Sequence, residues 1–357
     1  MTATQWKFYL YSKDAWEAML VECQKAKRSI DLEQFILVPD EIGMRFIEVC
    51  RQKVKEGVQV RILCDAAGSF SFFGSTLAWD LIQEGVKIVF FNTFIPWTRY
   101  SHTPWFFRDH QKLLIVDEFI AFTGGICLSD EMEDWRDTHV AVQGPIVSEM
   151  IEVFNNMWER AHKFKFRRKK LPILYNEGFN YVTNAPLPRQ RFIYYRFVEA
   201  IRNAKKYVYL TTPYFVPDHR FVRVLKLAIR RKVEVRILVP EHSDHPLVDI
   251  ASATFFTNLL KSGIKLFRYK AGMLHAKTAV IDGEWASVGS FNLDHVSFLY
   301  NFEGNIISTE RRFVEDIRSH FVVDLHNANE ITLERWSERS LIQKIKEFLI
   351  RPFRQIF

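Results

Sequence analysis

Several classes of protein are excluded by what this chain of 357 residues has little of. It has four cysteines, Cys23, Cys50, Cys64 and Cys127, with no Cys-x-x-Cys pair and no His/Cys ligand spacing. We therefore expect reduced thiols in a cytoplasmic setting, without a disulfide framework or zinc site. No apolar run reaches the roughly 18 residues of a membrane-spanning helix. Residues 1–13 lack the charged-then-apolar pattern of a signal peptide.

Positive charge is in excess. The chain has 49 Lys and Arg against 42 Asp and Glu, a formal net charge of +7. This balance favours an anionic partner, which is a nucleic acid, an anionic membrane surface or a phosphorylated substrate. The 32 phenylalanines are also numerous. Many aromatic residues lie in the irregular stretch before His110, where they either belong to the core or line a mouth that faces lipid.

The two halves of the chain repeat each other. Ala26 recurs as Ala204, Arg61 as Arg236 and His110 as His275, so the offset drifts slowly as small insertions accumulate. In each half an apolar strand, a Val-Pro-x-Asp-like turn, an amphipathic helix and a second apolar strand follow in order. The helices are expected over about residues 41–55 and 220–231.

This alternation predicts an α/β fold with two tandem pseudo-symmetric lobes. Each lobe is expected to hold a mixed, mainly parallel sheet flanked by helices. We assign residues 1–165 to the first lobe, 166–190 to a basic linker, 191–335 to the second lobe and 336–357 to a basic amphipathic tail. The linker's basic run either is a solvated face or contacts phosphate head groups.

A His-x-Lys-x4-Asp motif closes each copy of the repeat. The first copy is His110, Lys112 and Asp117, and the second copy is His275, Lys277 and Asp282. Side chains two apart on a strand share a face, so each histidine and its lysine point the same way. Asp117 and Asp282 fall on the opposite face and are expected to have a structural role at the strand end.

The residue types suit phosphodiester exchange at one site shared by the two halves. A neutral imidazole can attack phosphorus, and a second, protonated imidazole can give a proton to the leaving oxygen. The lysines Lys112 and Lys277 supply donors for the non-bridging oxygens. This chemistry needs no cofactor and no metal. Either histidine alone would more often be a satisfied core residue, and it is the duplication that carries the hypothesis.

Two carboxylates follow the histidines at nearly equal spacing. Asp137 lies 27 residues after His110, and Glu303 lies 28 residues after His275. We expect each to orient the imidazole of its own copy. Each motif is also followed by a turn, Thr123-Gly124-Gly125 and Val288-Gly289-Ser290-Phe291-Asn292. Gly125, Ser290 and Asn292 are candidate phosphate-binding residues, although a plain tight turn is the alternative.

These residues resemble the signature of the phospholipase D superfamily, a duplicated HxKxxxxD followed by GSxN. The resemblance runs from about Ala15 to Glu303 and is greatest to bacterial cardiolipin synthases, through Arg108 to Asp117, Trp135 to His139, Gln143-Gly144-Pro145 and Gly289 to Glu303. It implies two lobes about a pseudo-twofold axis and a phospho-histidine intermediate. It also implies that a phosphatidyl group passes to an alcohol, with His110 as nucleophile and His275 as acid and base.

The chain departs from that family pattern in three places. Cys127 stands where such synthases have Asn, and Val296 stands where they have Arg before Ser297. The membrane-spanning helices of some relatives are missing, so we expect peripheral association with the inner face of the cell membrane. Residues 341–357 offer a means, because apolar positions alternate there with Lys344, Lys346, Arg351 and Arg354. The alternative is a helix packed on the body of the protein.

The leading functional hypothesis is a phosphatidyl transferase acting on a phospholipid, with phosphatidylglycerol as the expected substrate and an anionic membrane surface as partner. A hydrolase that releases phosphatidic acid, or a nuclease of the same superfamily, would use the same residues. A lipid-binding relative without activity would need neither His/Lys pair. The built-in duplication and the basic tail favour lipid over nucleic acid. No protein partner is expected.

Overall fold

The computed structural model describes residues 3–93, 104–162, 178–187 and 189–357. The basic run at residues 163–170 and the aromatic residues Phe94, Trp97 and Tyr100 lie outside the described residues. Among the described helices, none is long and apolar enough to cross a bilayer.

Helices and strands alternate through the first half of the chain. Its elements are β1 (Gln5–Tyr11), α1 (Ser12–Lys25), β2 (Ser29–Gln34), α2 (Glu41–Lys55), β3 (Gln59–Asp65), α3 (Thr76–Gln83), β4 (Lys87–Phe91), β5 (Arg108–Asp109), β6 (Leu113–Val116), β7 (Ile120–Gly124), a 3₁₀ turn (Asp130–Met132), β8 (Arg136–Gln143) and α4 (Ile146–His162).

The second half repeats this order with small additions. Its elements are β9 (Phe179–Asn184), α5 (Phe192–Asn203), β10 (Tyr207–Thr211), β11 (Phe215–Val216), α6 (His219–Arg230), β12 (Glu234–Pro240), α7 (Pro246–Lys261), β13 (Lys265–Tyr269), β14 (Thr278–Ile281), β15 (Trp285–Gly289), β16 (Leu293–Asp294), α8 (His295–Leu299), β17 (Asn301–Ser308), α9 (Arg311–His326), β18 (Ala328–Ile331), α10 (Leu333–Ser337), α11 (Leu341–Ile350) and a 3₁₀ turn (Arg351–Ile356).

The predicted helices after the Val-Pro turns are confirmed as α2 and α6. Each begins after an aspartate that caps its first turn: Asp40 accepts from the backbone N–H of Gly43, and Asp218 from that of Phe221. These carboxylates satisfy N–H groups that have no partner inside the helix. The turn residues therefore fix where both helices start, which places the two copies of the unit in the same geometry.

Two mixed sheets form the framework, as the α/β prediction requires. Among the described residues the first sheet has the order β1-β8-β7-β6-β2-β3-β4, and the second has β18-β13-β12-β10-β14-β15-β17-β5, with β9 also paired to β17. Helices flank both sheets. The fold class is confirmed.

The prediction that each sheet is mainly parallel is wrong. In the first sheet β2, β3 and β4 run parallel, whereas β6, β7, β8 and β1 pair antiparallel to their neighbours. The second sheet has the corresponding arrangement. The connections explain it, because the turn between β6 and β7 is too short for the crossover that parallel strands need.

Part of the predicted linker is folded. Within residues 166–190, Phe179–Asn184 form β9, which pairs antiparallel with β17 from Glu303↔Asn184 to Ser308↔Phe179. It occupies the place in the second half that β1 has beside β8 in the first. Gly178, Asn184 and Pro186, residue types common in linkers, lie at or beyond the ends of this strand.

The three largest apolar clusters among the described residues hold the two halves together. One fills the first half around Phe46, and another fills the second half around Phe221. A third combines residues of both halves, including Phe154 of α4 with Phe302 and Phe313. Since burial of apolar surface is the main stabilising contribution to folding, this shared core fixes the two sheets against each other. The strands that carry the paired motif meet at this junction.

Candidate active site

Each motif histidine lies just before a buried strand rather than within it. β6 begins at the residue after Lys112, and β14 begins at the residue after Lys277. The lysine side chains fold back, so that each Nζ donates to the backbone carbonyl of its own histidine, at 2.7 Å for Lys112 and 2.6 Å for Lys277. Histidine and lysine are therefore held on one side, as their spacing predicts.

The carboxylates are the predicted ones, but their pairing within each copy is wrong. Nδ1 of His110 lies 3.0 Å from both carboxylate oxygens of Glu303, and Nδ1 of His275 lies 2.7 Å from Oδ2 of Asp137. Each histidine is thus paired with the carboxylate of the other half. Sequence spacing therefore pointed to the two histidines and the two carboxylates, but not to which carboxylate contacts which histidine.

Strand order explains the crossing. β7 lies between β6 and β8, and β15 lies between β14 and β17. A carboxylate is therefore two strands away from the motif of its own half, about 10 Å at the usual strand spacing. The other half's motif is adjacent, because the N–H of His110 donates to the carbonyl of Phe302 at 2.9 Å and that of His275 to Arg136 at 2.8 Å.

The carboxylates determine the tautomers of the imidazoles. A carboxylate only accepts, so Nδ1 carries the proton in both histidines and each Nε2 presents a lone pair. The Phe35 ring meets His110 edge-on at 4.8 Å, and Trp135 meets His275 at 5.0 Å. Both imidazoles are buried. They are held from behind by a carboxylate and from the side by an aromatic ring.

Glu303 is held by further donors. Oε1 accepts from the Ser297 hydroxyl at 2.7 Å and from the Asn301 amide at 3.3 Å, and Oε2 accepts from the Ser290 hydroxyl. The carboxylate is fully buried, so these bonds replace the water it would otherwise have. Ser297 and Asn301 were not among the predicted site residues. Their proximity to Glu303 in sequence was the available signal.

Two of the predicted phosphate contacts have other partners. The Ser290 hydroxyl donates to Glu303 and accepts from the N–H of Gly304, so it orients the carboxylate. A Cβ on Gly125 would lie 2.4 Å and 2.5 Å from the Asp137 carboxylate oxygens, so glycine there makes room for Asp137. The side-chain carbonyl of Asn292 is buried without a hydrogen-bond partner among the described residues, and its phosphate contact stays a prediction.

The aspartates of the motifs lie outside the site. Asp117 accepts from the backbone N–H groups of Lys27, Arg28 and Ser29, and Asp282 accepts from those of Lys205, Lys206 and Tyr207. Both have positive φ, 54° and 58°. They close the hairpin end of the motif strand onto the strand beside it. Both lie in the turns just after β6 and β14, at the strand ends where a structural role was expected.

Burial keeps the imidazoles neutral. Desolvation lowers the pKa of His110 to about 4, against the opposing attraction of Glu303. Desolvation and the nearby Lys277 ammonium likewise lower the pKa of His275, although Asp137 opposes them. A neutral imidazole with its proton on Nδ1 leaves Nε2 able to attack an electrophile.

The two half-sites interact electrostatically. Burial lowers the pKa of Lys277 to about 8, Asp137 opposes that shift, and Lys112 of the other half adds to it by repulsion. Burial would raise the pKa of Asp137, but Lys277, His275 and the N–H of Thr138 together bring it below its usual value. Two buried lysines thus lie beside two buried carboxylates and two neutral imidazoles, and this arrangement can hold an anion.

Comparisons with known proteins give a consistent assignment. The family model described as "Cardiolipin synthase, PLD-like domain" matches residues 19–158 and 197–325. The cardiolipin synthase of Listeria innocua serovar 6a is 32% identical over 358 residues, covering 97% of this chain and 74% of the relative. Cardiolipin synthase A of Pseudomonas putida is 31% identical over 355 residues, covering 96% and 72%.

Solved structures resemble the fold across almost the whole chain. The phosphatidylserine synthase of Haemophilus influenzae Rd KW20 has a TM-score of 0.74 at 12% identity, covering 99% of this chain and 93% of that one. The polyphosphate kinase of Porphyromonas gingivalis has a TM-score of 0.63 at 11% identity, covering 99% and 53%. At such identities the likeness shows a common architecture.

Proposed function

The chain belongs to the family of cardiolipin synthases with phospholipase D-like domains, and on that premise we propose that it is a phosphatidyl transferase. The resemblance drawn from the paired motifs is thereby confirmed. The proposed product is cardiolipin or a related phospholipid, made by phosphodiester exchange. The observation that carries the proposal is the crossed pairing of two buried histidines with the carboxylates of opposite halves, beside two buried lysines.

In the first step Nε2 of His110 attacks the phosphorus of phosphatidylglycerol. A nitrogen–phosphorus bond forms, the bond from phosphorus to the glycerol oxygen breaks, and His275 gives its proton to that oxygen. The products are glycerol and a phosphatidyl group on His110. Glu303 stabilises the positive charge that develops on the attacking imidazole, which is the role that a buried carboxylate at Nδ1 serves in such sites.

His275 must be protonated for this step, and the negative charge of the bound phosphodiester stabilises its protonated form. Nζ of Lys277 lies 3.0 Å from Nε2 of His275. A phosphodiester draws that ammonium onto its non-bridging oxygen and brings a negative charge to the imidazole. With Asp137 on one side and the anion on the other, the imidazolium form of His275 is favoured.

In the second step His275 takes a proton from the free hydroxyl of a second phosphatidylglycerol, and the oxygen attacks the phosphorus. The nitrogen–phosphorus bond breaks, which restores His110 and releases cardiolipin. Lys112 and Lys277 hold the non-bridging oxygens in both steps. Because each histidine depends on a carboxylate of the other half, residues 1–165 and 191–335 act together as two lobes of one site.

The substrates lie in a bilayer, so we place the protein peripherally at the inner face of the cell membrane, where its +7 net charge favours anionic lipid. The test incubates the purified chain with phosphatidylglycerol vesicles and follows products by mass spectrometry. We expect cardiolipin and glycerol in equal amounts. His110→Ala and His275→Ala should abolish both products, whereas His326→Ala, at an exposed histidine of α9, should retain them.

Other products would point to other functions. Phosphatidic acid without cardiolipin would replace the transferase by a hydrolase that uses water in the second step. Cleavage of DNA with no lipid product would replace it by a nuclease. Either result would contradict the proposal. The first is read in the vesicle incubation and the second in a parallel incubation with DNA, each with the same two alanine variants.

A further inference from the structure

The C-terminal segment exposes the residues that a surface helix normally buries. Seven large apolar side chains of α11 and the 3₁₀ turn after it are between 57% and 75% exposed. They are Leu341, Ile342, Ile345, Phe348, Leu349, Phe353 and Ile356. At about 100° per residue, the five in α11 lie within an arc of about 120° on the helix. The apolar stripe predicted from sequence therefore exists and faces outward.

The opposite face of α11 is mostly polar apart from Ile350, and it is the face that packs on the protein. Glu347 is buried and accepts two bonds from the Arg339 guanidinium, both at 2.8 Å. Gln343 and Lys344, on the same side, are half-buried. A helix on a globular protein ordinarily turns its apolar stripe to the core. This orientation is reversed, and the Glu347–Arg339 pair fixes it.

The end of the segment is also fixed to the second half. Ile350 and Phe357 pack against its apolar core. The Arg354 guanidinium lies 4.8 Å from the centre of the Phe255 ring, and the N–H of His295 donates to the carbonyl of Phe357 at 3.1 Å. The stripe is therefore presented on a supported segment.

We propose that this stripe, residues 341–356, is a docking surface whose occupant is an anionic phospholipid bilayer. Its cations are Lys344, Lys346, Arg351 and Arg354, while its one acidic side chain, Glu347, is already paired with Arg339. An apolar stripe flanked by basic residues enters the interface of an anionic membrane. A second copy of the chain would bring the same four cations against these four, which opposes that occupant.

Docking there brings the active site to the lipid. His295, bonded to the end of the segment, follows β16, and β16 pairs with β11. Tyr214, just before β11, has its ring 6.3 Å from that of His275. The bilayer would thus lie against the second-half side of the site. This consequence rests on the proposed function, whereas the docking itself does not.

The test measures sedimentation of the full chain with vesicles. One set contains phosphatidylglycerol and phosphatidylethanolamine, and the other contains phosphatidylcholine alone. We expect binding to the anionic set and at least tenfold weaker binding for Ile345→Glu/Phe348→Glu. The matched control is Phe119→Glu, at a 63% exposed position in the turn between β6 and β7, which should bind as the parent does. Unchanged thermal unfolding would show that the variants fold.

Two results would overturn the docking proposal. One is unchanged vesicle binding by the double variant. The other is a parent chain that is dimeric by light scattering and a monomeric double variant, both binding vesicles equally, which makes the occupant a second copy. The docking proposal and the proposed function are separated by measuring turnover of dihexanoyl phosphatidylglycerol below its critical micelle concentration, where there is no membrane to dock on. Absence of this activity in a parent that binds vesicles would remove the proposed function and leave the docking surface.

Discussion

Nδ1 of His110 lies 3.0 Å from both carboxylate oxygens of Glu303, a residue 193 positions later in the chain and in the other half of the repeat. The reciprocal contact joins His275 to Asp137. Neither half therefore holds a complete histidine–carboxylate pair of its own. The duplication does not give two sites, because its parts are complete only when the halves pack together.

The crossed pairing has a direct spectroscopic test. Glu303→Gln should shift the imidazole nitrogen resonances of His110 and leave those of His275 near their positions, because His110 is the one of the two histidines that donates to that carboxylate. Asp137→Asn should do the reverse. Turnover should fall by about 10² to 10⁴ in each variant, the usual contribution of a positioned acid or base. If only the His275 resonances shift in Glu303→Gln, each histidine is paired with the carboxylate of its own half, which contradicts the crossed arrangement.

The pH profile follows from two pKa values. His110 attacks only when neutral, so kcat/KM should rise as pH increases through about 4, the pKa to which burial lowers it. In the substrate complex, where the bound anion keeps His275 protonated, Lys277 holds the phosphate only when charged, so kcat should fall as pH increases through about 8. Lys277→Arg should move the alkaline limb upward, because a guanidinium stays protonated. An alkaline limb unmoved by that substitution would assign it to another group.

The motif aspartates should affect stability more than catalysis. Asp117→Asn keeps a residue that tolerates positive φ but removes a charged acceptor for three backbone N–H groups. We expect a loss of about 2 kcal/mol in the free energy of unfolding, the scale of a hydrogen bond to a charged group. The value of kcat should stay within about threefold of the parent's, well short of the loss expected on removing a catalytic acid or base. Urea unfolding and the lipid assay check this.

The same variant has a predictable pH dependence. Burial would raise the pKa of Asp117, but the backbone donors outweigh it and the folded-state pKa is lowered. The charge then contributes stability above the unfolded-state pKa, about 3.9 for aspartate, and this is lost as pH falls through the folded value. The difference in unfolding free energy between parent and Asp117→Asn should therefore shrink in acid. A constant difference would contradict the charge-based account.

Gly125 should be sensitive to a single methyl group. In Gly125→Ala the new Cβ would meet the Asp137 carboxylate at 2.4 Å and displace it from His275. Turnover should fall as far as it does in Asp137→Asn, with the same shift of His275 resonances. Gly57→Asn is the matched control, since Gly57 has φ of 86° and nothing near its Cβ position. Full activity in Gly125→Ala would show that Asp137 is not needed where it lies.

Much of this architecture was predictable from local pattern. The Val-Pro-x-Asp turns located α2 and α6 to within a residue, since a capping aspartate acts on its own first turn. Asp117 and Asp282 were expected at the strand ends, and they lie there in the turns that follow β6 and β14. Such predictions depend on contacts between residues near in sequence, and the duplicated unit gave each of them a second instance.

The remainder depends on how distant segments pack. The carboxylates could be found by repeat spacing, but their partners follow from strand order, which places β7 between β6 and β8. The outward stripe of α11 is a second case. The sequence shows the stripe, but contacts with distant residues, such as the Arg339–Glu347 pair and the packing of Ile350, decide which face is inward. β9 was missed because its flanking turn residues resembled a linker.

The most direct test traps the covalent intermediate that the account requires. Phosphatidyl p-nitrophenol needs no acid for its leaving group. In the His275→Ala variant, His110 should therefore still attack this substrate, but the variant lacks the base that activates an acceptor alcohol. We predict a burst of about one p-nitrophenolate per chain, typical of an accumulating covalent enzyme intermediate, and a phosphatidyl adduct on His110 by intact-mass and peptide analysis. His110→Ala should give neither. A burst without an adduct, or an adduct on His275 of the parent chain, would contradict the account.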